Sequence, residues 1–330
     1  MTVEFLFIGL GQIGASFGLA LDENKDTINR VGYDTDPVTA RKAKKIGAVD
    51  STVMWLQETI GKSDVILLAL PANQMGAMME TVLPGMKEGA VLFDTAPIKV
   101  QSATWVREFL PKSCSYVGLT PAINSAYLHS NEISIDAARA DLFEKGTMAI
   151  SALPETDSKA IKLATNLIQL IGSTPLFTDM TEIDGLMASI HVTPQLLGAA
   201  LLDSVIDRAG WPDAQRLAGR AFAGTTGPFA QLGEPDAIIS MAAHNSVPTL
   251  RTLDDTIKSL QVFREQLATG DIDALSERFE QLRQGHDKWL IDRQDAKYGM
   301  EHEPLPKRSL GKEFMGNLFG LSRRDKSKEE

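Results

Sequence analysis

Short apolar runs alternate with helical patterns over the first half of the chain. The run at residues 65–70 holds no polar side chain, which is typical of a strand covered on both faces. The stretch at 158–171 instead has helical spacing and is followed by Gly172, a residue type that favours a helix C-terminus. Alternating strands and helices predict a doubly wound, largely parallel sheet. The predicted strands are residues 5–8, 30–33, 65–70, 90–93, 115–118, 147–152 and 174–177.

The pattern changes near Asp179, where helices replace strands. Residues 183–208 are apolar nearly all round, which predicts a buried helix of a kind that commonly lies between subunits. From residue 301 the chain is punctuated by proline and then basic, which predicts a disordered tail. We therefore expect a sheet domain at residues 1–178, a helical domain at 179–300 and a tail at 301–330. Further helices are predicted at 213–222, 235–243, 247–269 and 272–294.

The first strand leads without a gap into the glycine motif Gly9-Leu-Gly11-Gln-Ile-Gly14, and a helical pattern follows at once. In this context the spacing predicts a dinucleotide site. Gly9 permits the tight turn, Gly11 lets the backbone approach a pyrophosphate, and Gly14 lets helix and strand pack closely. The amides at the helix N-terminus then favour the phosphate charge.

Asp34 ends the second predicted strand, about twenty residues after the glycines. A carboxylate there accepts hydrogen bonds from the ribose hydroxyls and repels a 2′-phosphate, and no arginine stands beside it. We therefore predict NAD as the cofactor in preference to NADP. The residues expected to bind it are Gly9, Gly11, Gln12, Ile13, Gly14, Asp34, Leu70, Pro71 and Thr95.

Three loops follow predicted strands at residues 71–73, 94–99 and 119–125, and we call the last of these the substrate loop. Ligands of doubly wound sheets bind outside the carboxyl ends of the strands, so these loops should open onto the cofactor. Lys99 is the one cation expected there, able to hold a carboxylate or, if desolvated, to act as an acid or base. The alternative is a solvated lysine at the start of a helix. The polar residues expected to face the nicotinamide are Thr95, Lys99, Thr120, Asn124 and Ser125.

Composition narrows the class of protein. The chain has 330 residues, of which 43% are hydrophobic, and its formal charge of −10 disfavours a nucleic-acid or anionic-membrane surface. The single cysteine, Cys114, excludes an intrachain disulfide framework and a cysteine-based zinc site, and no metal site is predicted. No uninterrupted apolar run reaches the roughly 18 residues of a membrane span. We expect a soluble cytoplasmic protein.

The order of motifs resembles the prephenate/arogenate dehydrogenases of tyrosine biosynthesis over nearly the whole chain. The resemblance implies a Rossmann-type domain followed by a helical C-terminal dimerisation domain, in a 6-phosphogluconate-dehydrogenase-like arrangement. It also implies a homodimer, a small-molecule substrate and the NAD(P)-dependent oxidative decarboxylation of prephenate or arogenate. The segments that carry it are GLGQIGASFGLAL, GYDTDPVTARKAKKIGAVD, DTAPIK, VGLTPAINS, EIDGLMASIHVTPQLLGAAL and AFAGTTGPFA.

The sequence departs from the family's motifs at positions that carry chemistry. The family's catalytic histidine, which takes the hydroxyl proton as hydride leaves, falls on Thr120, and its active-site serine falls on Pro97. The histidine of its His-Asp pair falls on Ile183, whereas Asp184 is kept as a residue that favours a helix N-terminus.

The helical half departs in the same way. The family's Ser-His falls on His191-Val192, so the imidazole is displaced by one position, roughly 100° round a helix. The two arginines that flank its Thr-Thr pair fall on Ala223 and Gly227, and the threonines at 225–226 are then expected to cap a helix. An anionic substrate usually requires a bidentate guanidinium, and here the expected cations are absent.

The candidate catalytic residues are Lys99, Thr120, Asn124 and His191. His191 either faces the cleft from the helical domain or is a satisfied core residue. Three hypotheses follow: a prephenate/arogenate-type dehydrogenase with a rebuilt site, an oxidoreductase on the same scaffold with another small keto, hydroxy or imine substrate, or a non-catalytic NAD-binding protein.

Overall fold

In the computed structural model, residues 2–130, 132–230 and 235–295 are described. An eight-stranded sheet forms the first part, in the order β3-β2-β1-β4-β5-β6-β7-β8, and every neighbouring pair is parallel except β6 with β7. This is the doubly wound order 3-2-1-4-5-6 with two further strands, and the predicted fold class is confirmed. The strands are β1 (Val3–Ile8), β2 (Ile28–Tyr33), β3 (Ser51–Thr52), β4 (Val65–Leu68), β5 (Val91–Asp94), β6 (Ser115–Ala122), β7 (Thr147–Ala152) and β8 (Thr174–Phe177).

Strand β6 is longer than the sequence predicts. The expected strand ends at Gly118, but β6 continues to Ala122 because β7 returns antiparallel along it, with Thr120 opposite Ala149. The pairing partner lies far along the chain, so the local pattern does not show it. Most of the substrate loop is therefore fixed as strand.

Helices cover both faces of the sheet. The residues of β4 alternate between two apolar cores, one shared with Phe17 and Leu163 and the other with Met79 and Val106. This two-sided burial explains why the strand has no polar position. The helices of this part are α1 (Gln12–Ala20), α2 (Pro37–Lys45), α3 (Gln57–Ile60), α4 (Ala72–Val82), α5 (Val100–Phe109) and α6 (Ser158–Leu170).

The remaining described residues are helical. The helix predicted at 183–208 runs from Met180 to Ile206, and a π turn (Ala188–Val192) divides it into α7 (Met180–Met187) and α8 (Thr193–Ile206). The single helix predicted at 213–222 is wrong, because two helices meet near Gly219. The predicted tail at 301–330 lies outside the described residues. The other helices are α9 (Trp211–Leu217), α10 (Arg220–Ala230), α11 (Pro235–His244), α12 (Ser246–Thr269) and α13 (Ile272–Asp295).

Within the described ranges, Met180–Ile206 is long and apolar enough to cross a membrane by length and composition. The segment is not an uninterrupted apolar run, because Asp184 and Asp203 lie within it. Only 28% of its apolar window is buried inside the chain, and Ile190 is among its outward side chains. The segment also carries the buried polar residues Asp184 and Gln195. It packs against protein on one side and presents apolar surface on the other.

Arg30 joins four pieces of the sheet domain beneath β2. Its guanidinium binds the carboxylates of Asp22 and Asp50 at 2.7 and 2.6 Å and the carbonyls of Gly18 and Gly47 at 2.8 and 3.1 Å. Burial alone would lower the pKa of Arg30, but the two carboxylates outweigh it and raise the pKa. Burial raises and the guanidinium lowers the pKa of Asp50, with a net lowering.

Asp184 connects the two domains. Its carboxylate lies on α7 and accepts hydrogen bonds from the backbone amides of Lys99 and Val100, at 2.6 and 3.1 Å, so it caps the N-terminus of α5. The amide of Asn245, between α11 and α12, donates to the Asp184 carbonyl at 2.8 Å. The sequence predicted that Asp184 begins its own helix. It lies inside α7 and caps a helix of the other domain instead.

Replacing Arg30 with methionine should lower the free energy of unfolding by about 2 to 3 kcal/mol, because two carboxylates lose their partner. Since the pKa of Asp50 is lowered in the folded state, its contribution is present above the ordinary aspartate pKa of about 3.9 and is lost as the pH falls below it. Urea unfolding at several pH values should therefore show that Arg30→Met loses less of its free energy of unfolding than the wild type as the pH falls. Arg107→Met, an exposed arginine on α5, is the control and should change little; equal stability of both variants would contradict the assignment.

Replacing Asp184 with asparagine should destabilise the protein by about 1 to 3 kcal/mol. An asparagine has one acceptor oxygen, so one of the two amides at the start of α5 loses its partner inside the protein. Asp179→Asn makes the same chemical change five residues earlier, at the exposed N-cap of α7, where asparagine caps as well as aspartate. Thermal unfolding should separate the two variants. An equally small effect for both would show that the interdomain cap contributes little.

Candidate functional site

The strand order changes direction between β1 and β4, and a doubly wound sheet has its crevice there, at the carboxyl ends of the strands. At two glycines of this turn, neighbouring backbone atoms leave no room for a Cβ atom. Gly9 has a φ of +89°, and an added Cβ would lie 2.3 Å from the Ala69 carbonyl oxygen; a Cβ on Gly14 would lie 1.9 Å from the Gly9 oxygen. Gly11 differs, because no heavy atom beyond its chain neighbours and its own helix backbone lies within 4 Å of its Cβ position. The turn is therefore tight at both ends and open at its centre.

The open centre coincides with the N-terminus of α1. Gly11 is the N-cap residue, no side chain caps the helix, and no acidic residue lies in its first turn. Gln12 and Ile13 are partly exposed. A helix start with uncapped amides and room for an anion fits a pyrophosphate. The residues present thus fit a dinucleotide.

Asp34 lies beside this turn at the end of β2. One carboxylate oxygen accepts from the Leu10 amide at 2.8 Å and the other from the Asp36 amide at 2.9 Å. Asp36 in turn caps α2. These bonds fix the partly exposed Asp34 carboxylate next to the first glycine, where a ribose joined to the pyrophosphate would lie. A 2′-phosphate there would lie near the carboxylates of Asp34 and Asp36, which would repel it.

The other residues expected at the cofactor lie on the neighbouring strand ends. A Leu70 methyl group would be 2.9 Å from a Cβ on Gly9, so Leu70 packs directly on the glycine turn. Pro71 is the N-cap of α4, and Thr95 hydrogen-bonds the Leu68 carbonyl through its amide and hydroxyl, at 2.9 and 3.2 Å. The structure thus brings the predicted cofactor residues to one edge of the sheet.

Lys99 is placed differently from the expectation that it faces the nicotinamide. Its side chain is fully buried, its ammonium pairs with the Asp94 carboxylate, and a 3.1 Å bond joins it to the Asp94 carbonyl. The hydroxyl of Tyr116 donates to the other Asp94 oxygen at 2.5 Å. The aliphatic part of the Lys99 side chain runs under Gly118, and a Cβ added to Gly118 would lie 2.7 Å from the Lys99 Cδ atom. Lys99 therefore balances Asp94 inside the domain and has no exposed surface to offer a substrate.

The pKa values follow from this burial. Burial lowers the pKa of Lys99, and the adjacent Asp94 opposes that effect. Burial and the charge of Asp94 both raise the pKa of Tyr116 well above its ordinary value, so the phenol stays protonated. Burial also raises the pKa of Asp184, against the two amides that donate to it. Together these residues form a buried polar network at the start of α5.

Thr120 and Asn124 occupy the substrate loop. Thr120 is buried, and its hydroxyl has no hydrogen-bond partner among the described residues. The Asn124 side chain accepts from the Ala126 amide at 3.0 Å and caps the short turn Ser125–Tyr127, so it shapes the loop. Ser125 is partly exposed beside it. A bound ligand could supply a hydrogen-bond partner for the Thr120 hydroxyl.

His191 lies in the π turn between α7 and α8. The next residue, Val192, packs with Ile98 and Met241, so the π turn contacts the loop after β5. Burial lowers the pKa of His191, which leaves the ring neutral at pH 7. π turns are frequent at functional sites and change the phase of a helix. This one falls where the sequence showed a one-residue displacement of the imidazole.

Sequence reasoning missed Arg293. It lies in the last turn of α13, is buried, and its guanidinium donates to the Ile123 carbonyl in the substrate loop. The only local signal was a basic residue near a helix end. The threonines at 225–226, expected to cap a helix, lie inside α10 and donate to the carbonyls of Ala221 and Phe222, both at 2.9 Å. Within the described ranges, no group of three or more His, Cys, Asp or Glu side chains is placed to hold a metal ion.

Known proteins share this arrangement. The B. subtilis (strain 168) prephenate dehydrogenase is 23% identical over 291 residues, covering 87% of this chain and 76% of that protein. The crystal structure of the A. aeolicus prephenate dehydrogenase with hydroxyphenyl propionate and NAD+ matches with a TM-score of 0.76 at 19% identity, over 87% of this chain and 98% of that one. The Synechocystis arogenate dehydrogenase structure matches with a TM-score of 0.67 at 22% identity, over 87% and 100%. At these identities the structural matches establish the fold.

Two family profiles cover most of the chain. The profile described as "Prephenate dehydrogenase, nucleotide-binding domain" matches residues 17–175, and the one described as "Prephenate dehydrogenase, dimerization domain" matches residues 179–281. Both agree with the sheet part and the helical part described above. The chain belongs to the prephenate dehydrogenase family.

Proposed function

We propose that the protein is an NAD-dependent dehydrogenase that oxidises a small hydroxy acid of the prephenate or arogenate class, in tyrosine biosynthesis, with loss of carbon dioxide. The observation that carries the proposal is the open position at Gly11 between two closed glycines, with Asp34 fixed beside it. The A. aeolicus relative was crystallised with NAD+ and hydroxyphenyl propionate, which supports both the cofactor and an aryl or cyclohexadienyl acid as ligand. Bound NAD would supply the hydride acceptor.

The chain must supply a group that takes the hydroxyl proton. A threonine hydroxyl is far too weak a base for this, so Thr120 can only orient a ligand. His191 is suited to the role, because burial keeps its imidazole unprotonated at neutral pH and its π turn packs against the loop after β5. In this proposal His191 accepts the proton, and Thr120 and Ser125 hydrogen-bond the substrate. Asn124 holds the loop that carries them.

A second candidate is a dehydrogenase or reductase on the same scaffold with a less anionic substrate. The observations that favour it are the absence of arginine at Ala223 and Gly227 and the threonine at position 120. A non-catalytic NAD-binding protein would keep the glycine turn in the same form.

We also propose a homodimer formed through the helical domain and a cytoplasmic location. The apolar segment Met180–Ile206 has outward side chains such as Leu186 and Ile190, as an interface helix requires. The second matched profile is described as a dimerization domain, which supports this use of the surface.

The purified protein should form NADH with prephenate or arogenate, with little activity on NADP. Gly11→Ala should weaken NAD binding by about tenfold or more, since the new methyl group fills the space that the pyrophosphate needs. Its thermal stability should be unchanged, because nothing in the protein touches that position. Gly61→Ala, at the end of α3, is the matched control and should bind NAD normally. NAD binding without turnover of either compound would reject the substrate class and favour the second candidate.

The rate should depend on pH through His191. Because its pKa lies below the ordinary value, kcat/KM should be constant near neutral pH and fall as the pH drops through that lowered pKa. His191→Gln should lower kcat by about 10²- to 10⁴-fold and remove this acidic limb. His129→Gln, an exposed histidine just past the substrate loop, should leave rate and profile unchanged. An acidic limb that persists in His191→Gln would assign the proton to another group.

A further inference from the structure

The loop after β3 exposes two large apolar side chains. Among the described residues of the sheet domain, Met54 and Trp55 are the most exposed large apolar residues, at 81% and 72%. The residues on either side of them are anchored, because Val53 and Leu56 pack in the core that contains Met79. Single exposed apolar residues are common, but an adjacent pair that includes a tryptophan marks a surface that binds something. The loop therefore holds an indole in solvent on a backbone that is fixed at both ends.

The pairing of β3 with β2 sets the position of this loop. The two strands are parallel, Gly32 pairs with Thr52, and the Val53 amide donates to the Gly32 carbonyl at 3.0 Å. Asp34 follows Gly32 by two residues, and Trp55 follows Thr52 by three. Both therefore leave the same edge of the sheet, on neighbouring strands that lie about 4.8 Å apart.

A dinucleotide would extend toward this loop. The strand order at this side of the sheet is β3-β2-β1. The pyrophosphate fits the open position at Gly11, after β1, and the ribose fits the Asp34 carboxylate, after β2. The base is joined to that ribose and is the next group along the ligand. It would therefore reach the carboxyl end of β3, where Trp55 is exposed.

The charges around the loop favour a neutral ring over an anion. Asp34 and Asp36 follow β2, and Glu58 lies in the first turn of α3, directly after the loop. These carboxylates would repel a phosphate. Adenine is uncharged and has a π face, and the stacking of a base on an aromatic side chain needs no charge. An exposed indole in acidic surroundings thus fits a base.

We propose that Trp55 is the stacking surface for the adenine of NAD, with Met54 beside it as a flexible apolar contact. The inference rests on the NAD site of the proposed function and not on its substrate. The indole is exposed in the free chain because its partner is the cofactor. The adenine end of the site then comes from β3, a strand of two residues that the glycine motif does not include.

The test uses ADP-ribose, which carries the adenine, the ribose and the pyrophosphate but no nicotinamide. Its affinity and that of NAD+ are measured by calorimetry on the full chain. Trp55→Ala should weaken both ligands by the same factor, roughly 5- to 100-fold, because the base loses its stacking partner. Trp55→Phe should weaken them by less than about threefold, since a smaller ring still stacks. Phe177→Ala removes an aromatic side chain that is 60% exposed on β8, at the opposite edge of the sheet, and should bind as the wild type.

Tryptophan fluorescence gives a second readout. The chain has four tryptophans, and stacking of adenine on Trp55 should quench part of their emission when ADP-ribose binds. This quenching should be absent in Trp55→Phe, although that variant still binds the ligand. It should persist in Trp289→Phe, which removes a tryptophan of α13.

Several results would overturn the proposal. Unchanged affinity for ADP-ribose in Trp55→Ala would show that the base lies elsewhere, and so would quenching that persists in Trp55→Phe. Normal binding by a Trp55→Ala protein that sediments as a smaller species would assign the loop to a contact between two copies of the chain. If Trp55→Ala does not fold, the fluorescence of Trp55→Phe decides.

The proposed function and this inference can fail separately. Binding of ADP-ribose that depends on Trp55, without turnover of prephenate or arogenate, would reject the reaction and leave the role of Trp55 standing. Formation of NADH from prephenate by Trp55→Ala, with a KM for NAD+ equal to that of the wild type, would do the reverse.

Discussion

Helices α1 and α5 both begin at the carboxyl edge of the sheet, and their N-termini differ in one respect. The amides at the start of α1 are uncapped and face open space beside Gly11. The amides at the start of α5 donate to the Asp184 carboxylate, which comes from the helical domain. Because a helix N-terminus attracts an anion, the uncapped start of α1 is suited to a pyrophosphate, and the capped start of α5 holds the second domain through Asp184. Cofactor binding and domain docking thus use the same physical interaction at neighbouring places.

The same capping interaction explains the position of Lys99. Its amide donates to Asp184, while its ammonium is drawn under Gly118 to the buried Asp94. The two contacts tie one residue to both domains and keep its charge away from the crevice. Asp94 also accepts a hydrogen bond from the Tyr116 hydroxyl, and burial keeps that phenol protonated by raising its pKa. Lys99, which the sequence predicted to face the substrate, therefore stabilises a buried polar network at the start of α5.

The sequence predicted what depends on neighbouring residues and missed what depends on distant ones. The glycine turn, Asp34 and most strand and helix positions follow from local spacing, since burial on both faces or on one helical stripe leaves a periodic pattern. The extension of β6 depends on β7, and the burial of Lys99 depends on Gly118 of β6. Neither leaves a periodic trace. Arg293 was missed for the same reason, because its partner lies in the other domain.

In the proposed arrangement, the group that replaces the family's catalytic base comes from the helical domain. The base moves from position 120 on β6 to His191 in the π turn. His191 can reach a substrate only if the helical domain keeps its position against the sheet domain, and Asp184 is one of the contacts that fix it. The contacts that dock the two domains then also set the geometry of the reaction. A scaffold of this kind can keep its cofactor site unchanged while its substrate chemistry is rebuilt from another part of the chain.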